Sequence, residues 1–278
     1  MEPTFQLCSA ITRRLTSLAY NTTGWKSQEY ANYCHGLANM KVGGQSELSW
    51  LNNNFVRLQV LKGKEGREGG EEGKSQEFAN VMWGNAVLGG GDGFWDVVKT
   101  CEGSIEGWVN RRVEGEGGRG SRGRLQCQEI SIMSYSVAVL WKEDSSRWSE
   151  AVTFLDSLVS STIAIGKWDD FKPQEISNYL WSASTLSYKD WNPALNALLF
   201  KNLQKLSVEK IKQFGNLELQ NLVWAVSREG DSEGEVEEGF LGSRHSVLKV
   251  SIRKGQRASA AKRVKQRILN KRASERSE

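Results

Sequence analysis

Residues 172–186 read KPQEISNYLWSASTL, and four other stretches of the chain are written on the same template. They are KSQEYANYCHGLANM at 26–40, KSQEFANVMWGNAVL at 74–88, QCQEISIMSYSVAVL at 126–140 and GNLELQNLVWAVSRE at 215–229. Gln-Glu recurs at Gln28, Gln76, Gln128 and Gln174. Asparagine recurs at Asn32, Asn80, Asn178 and Asn221. A ring recurs in one register at His35, Trp83, Tyr135, Trp181 and Trp224. The third copy departs with Ile132 in the asparagine position, and the fifth with Leu217 in the glutamine position. Self-similarity at this period is the mark of a repeat architecture.

Each copy reads as one helix. Pro173 suits a first helical position, where its missing N–H costs no hydrogen bond. Glu29, Glu77, Glu129 and Glu175 fall in the first turn, where the helix dipole favours a negative charge. In the fourth copy Ile176, Tyr179, Leu180, Ala183 and Leu186 recur at spacings of three and four, which gives an apolar face.

A second helix is expected after each copy. Trp191–Leu206 carries Leu195, Leu198, Leu199, Leu203 and Leu206, and Trp148–Ser160 carries Val152, Leu155, Leu158 and Val159. Leu48–Leu61 and Phe94–Trp108 fill the same role more weakly. Residues 4–20 resemble a second helix with no first helix ahead of it, so the chain reads as beginning in mid-repeat. The glutamines are 48, 52 and 46 residues apart, and Trp181 to Trp224 is 43. Residues 62–73 and 102–124 are rich in Gly, Glu and Arg and read as disordered loops. Without them the unit shrinks to about 40 residues, the usual size of a helical repeat. A helix pair cannot bury its apolar face alone, so neighbours stack. The expected fold is all-α, an α-α superhelix of about five helix pairs over 1–228. Residues 229–278 read as an acidic linker and a basic disordered tail.

Composition narrows the chemistry. The 278 residues carry a formal charge of +4, 28 glycines, 11 tryptophans, 4 cysteines and 2 histidines. The segment 229–238 holds six acids, whereas 244–278 holds twelve Lys/Arg against two acids. That leaves a mildly acidic body and a basic arm, which attracts phosphates without reading sequence. The basic run includes Lys262, Arg263, Lys265 and Arg267. The cysteines are far apart and form no CxxC pair, so no disulfide frame or zinc site is expected. Two histidines leave little for a metal site or a Ser-His-Asp triad. Cys34 and His35 are adjacent, and adjacent helical residues point apart. Gly115–Gly120 matches GxGxxG, but the charged residues 110–114 stand where a dinucleotide site needs a buried strand. Gly89–Gly93 reads as a helix end and turn. No apolar run reaches membrane-spanning length, and no secretory leader opens the chain. No enzyme, no cofactor, no metal and no small-molecule substrate is expected.

With these residues laid out, the chain resembles the octotricopeptide repeat family, whose units carry a Pro-Gln-Glu-Leu-Ala-Asn-Leu-Leu-Trp-Ala-Leu-Ala-like stretch. The resemblance covers roughly residues 4–228 and is strongest over 171–186. It implies an α-solenoid that binds single-stranded RNA and has no chemistry of its own. It also implies an organelle setting, chloroplast or mitochondrion, since members expanded in green algae look like RNA-maturation, stability or translation factors.

The recurring rings Trp83, Trp181 and Trp224 are expected to build the core between repeats, with base stacking as the functional alternative. Asn32, Asn80, Asn178 and Asn221 are candidates for base edges or for backbone groups between units. A repeat code is read by polar positions that differ between copies, which here selects Asn39, Asn85, Ser136, Ser182 and Thr185. The rival expectation is a protein-interaction scaffold with no RNA contact.

Overall fold

The computed structural model describes residues 14, 25–64, 74–114, 125–166, 168–203, 206 and 208–229. All regular structure among them is helical. The helices are α1 (Ser27–Met40), α2 (Gln45–Lys64), α3 (Ser75–Leu88), α4 (Phe94–Glu114), α5 (Cys127–Glu143) and α6 (Trp148–Ile165). They continue with α7 (Pro173–Thr185), α8 (Tyr188–Trp191), α9 (Pro193–Leu203), α10 (Val208–Lys212) and α11 (Asn216–Glu229). The five template copies are α1, α3, α5, α7 and α11, and each helix begins at the same register position.

In the first, third and fourth copies that common start has a direct cause. The backbone N–H of Lys26 donates to Glu29 Oε2 at 2.6 Å, that of Gln126 to Glu129 Oε2 at 2.7 Å, and that of Lys172 to Glu175 Oε2 at 2.8 Å. The glutamate of Gln-Glu thus folds back onto the residue before the helix and satisfies an orphan donor there. It does more than favour the helix dipole.

The chain divides into two units, 1–165 and 166–278. In the first, α3 packs between α1 and α5, and α4 packs between α2 and α6. The pairs α1–α2, α3–α4 and α5–α6 join the two rows. Helices that are not sequence neighbours therefore lie side by side, as helical-repeat packing requires. The rows bury Phe78, Met82, Trp108, Ile130, Phe154 and Leu155. In the second unit α7 packs against α11, the next template copy, and α8 joins α7 to α9.

Small residues set the approach of the first helices. A Cβ on Gly84 of α3 would run into Sγ of Cys34 on α1 and come within 3.0 Å of its carbonyl oxygen. In the second unit Ser184 Oγ of α7 donates to the carbonyl of Ala225 on α11 at 3.2 Å. The turn Gly89–Gly93 does end α3, and it also docks on α2. A Cβ on Gly91 would sit 2.6 Å from Cβ of Leu48. Only glycine allows that contact.

Two segments differ from the sequence reading. α4 runs on to Glu114, through the first half of the expected loop 102–124. Cys101, Ile105 and Trp108 continue its buried face, and Trp108 is wholly buried. Gly103 faces open space. Glycine costs a helix about 1 kcal/mol, less than the roughly 3 kcal/mol from burying a large ring. The expected single helix Trp191–Leu206 is broken at Asn192, whose Oδ1 accepts from the N–H of Leu195 at 3.1 Å. Asn192 caps a new helix that opens with Pro193. The start 4–20, loop residues 65–73 and 115–124, and the tail from 230 lie outside the described residues, apart from Arg14.

Candidate nucleic-acid interface

Counted from the first helical residue, the second, sixth, ninth and thirteenth positions of each copy fall on one side of the helix. Their spacing of four, three and four makes a continuous stripe. In α1 it is Gln28, Asn32, His35 and Asn39; in α3 it is Gln76, Asn80, Trp83 and Val87. In α5 it is Gln128, Ile132, Tyr135 and Val139. In α7 it is Gln174, Asn178, Trp181 and Thr185, and in α11 Leu217, Asn221, Trp224 and Arg228. The second position is exposed in all five copies. The sixth is exposed at Asn32 and half-buried elsewhere. The ninth is half-buried throughout.

The ninth-position rings meet across neighbouring first helices. His35 lies 4.7 Å from Trp83 between ring centroids, and Trp181 lies 6.3 Å from Trp224. The guanidinium of Arg228 sits 5.3 Å over the Trp224 ring, a cation–π contact along the stripe. These rings therefore pack between repeats with one side and keep the other partly open. Among the described residues no hydrogen bond engages the side-chain amides of Asn32, Asn39, Asn80, Asn178 and Asn221. They present donors and acceptors outward.

Three of the sequence candidates lie elsewhere, and a fourth is buried on the stripe. Asn85 is 0% exposed and forms a reciprocal amide pair with Asn52 of α2, at 2.9 and 3.0 Å. Asn85 Nδ2 also donates to the Val81 carbonyl at 2.9 Å, and Asn52 Nδ2 to that of Asp92 at 3.2 Å. This joint ties α2, α3 and the glycine turn together. Ser136 and Ser182 are buried at the tenth position, each donating one turn back, to Ile132 and Asn178. That position holds Gly36, Gly84 and Ala225 in the other copies, and a Cβ on Gly84 would collide with Cys34 of α1. Thr185 lies on the stripe but is 6% exposed. Asn85, Ser136, Ser182 and Thr185 thus offer little surface to a ligand. Lys262, Arg263, Lys265 and Arg267 lie outside the described residues. The sequence reading passed over the exposed glutamines and Arg228, although their register was available in the alignment of copies.

Burial pushes the Cys34 thiol up to about 12. Its Sγ donates to the Val81 carbonyl at 3.6 Å, away from His35. Among the described residues no group of His, Cys, Asp and Glu is placed to hold a metal ion. No described helix is long and apolar enough to cross a membrane. A cleft of about 330 Å³ opens beside the glycine turn, lined by Trp95, Lys99, Glu143, Asp144 and Arg147 among others. Its charges are mixed, and Arg147 is paired with Asp144 and Glu150. Comparison with protein-family models, with curated proteins and with solved structures gives no match to this chain.

Proposed function

We propose that this chain is a non-enzymatic α-solenoid of the octotricopeptide kind that holds single-stranded RNA on the outer stripe of its first helices. The supporting observation is that stripe. It repeats the same uncommitted amides and half-open rings at a fixed register, on the side of each helix turned away from the core. Carboxamides offer both a donor and an acceptor to base edges, and open ring surface tolerates any base. Single-stranded RNA is favoured because its base edges are unpaired and reachable. An organelle role in RNA processing, stability or translation rests on the family resemblance alone.

A second reading, a protein-interaction scaffold, draws on the apolar members of the stripe. Val87 is exposed, and Leu217 is 67% exposed. Equilibrium binding of the full chain to random single-stranded RNA separates the two. The RNA reading expects binding that weakens as salt rises. It also expects Asn80→Ala with Asn178→Ala to weaken binding about thirtyfold, at roughly 1 kcal/mol per lost contact. An RNA affinity indifferent to those substitutions, or no RNA binding, moves the stripe to the scaffold reading.

A further inference from the structure

No further inference is drawn: the strongest candidate, the apolar face of α11, where Val223 and Val226 are half-buried although Leu180 and Ala183 of α7 are buried at the same positions of the template, carries nothing, because nothing among the described residues shows what covers it.

Discussion

The two helix rows of the first unit repeat different things. α1, α3 and α5 share a start, a core register and an outer stripe, and α1 and α5 also share a capping glutamate. α2, α4 and α6 share only length and apolar burial, with 20, 21 and 18 residues and no common motif. A buried face needs the right volume at the right spacing, and many residues supply that. A row whose outward face meets a ligand has reason to keep residue identity. The second row should therefore fail by loss of volume and the first by loss of particular groups. Trp108→Ala in α4 breaks the second row most severely. It empties a fully buried site and is expected to cost about 3–5 kcal/mol, read as a lower denaturation midpoint.

The joint between the rows comes next. Asn85→Ala removes one side of the amide pair and leaves Asn52 buried with a lost partner, at an expected cost of about 1–3 kcal/mol. Removing Asn52 as well costs less than the sum of the two single changes, because the pair acts as a unit. Additive costs in urea melts would break the account of the joint.

Asn85 also shows what the sequence could and could not tell. The five first helices were legible because register, core spacing and Gln-Glu all point the same way. Asn85 looked like a varying polar residue suited to reading a base. It lies seven residues after Phe78 and four after Val81, so its place on the inner face was implied by spacing. Its partner Asn52 was not, because nothing local links a second helix to the next first helix. Ser136 and Ser182 misled for a related reason. They align with Gly36, Gly84 and Ala225, and smallness, not polarity, is what the position keeps. The reach of α4 to Glu114 was hidden by glycines, whose cost Ile105 and Trp108 offset only once a neighbouring row exists to bury them.

The buried faces of the two rows also carry a pH signature, through Cys34 of α1 and Cys101 of α4. Burial holds the Cys34 thiol near 12, and burial first, then Glu102 and Glu129, hold that of Cys101 well above its ordinary value. The folded chain keeps protons that the unfolded chain releases above about 8.5. Stability should be flat below that pH and fall above it, by up to about 1.4 kcal/mol per pH unit for each thiol. Cys34→Ala removes part of the slope. Both thiols should resist a thiol reagent until the protein unfolds, and a rapid native-state reaction of either would show that its row opens more readily than its packing implies.

The smallest effect on stability belongs to the outer stripe, and there the comparison between rows becomes a comparison between copies. α3 has Asn80 and α5 has Ile132 at the same half-buried position, with no bond from the asparagine amide to the described protein. Exchanging them, as Asn80→Ile or Ile132→Asn, should move stability by no more than about 0.5 kcal/mol. If the stripe meets RNA, the same two changes move affinity in opposite directions, Asn80→Ile weakening it and Ile132→Asn strengthening it. A residue that served the stack would shift the melting curve and leave binding alone. A residue that serves a ligand does the reverse, and measuring both on the same two variants separates these roles at a position where burial alone does not.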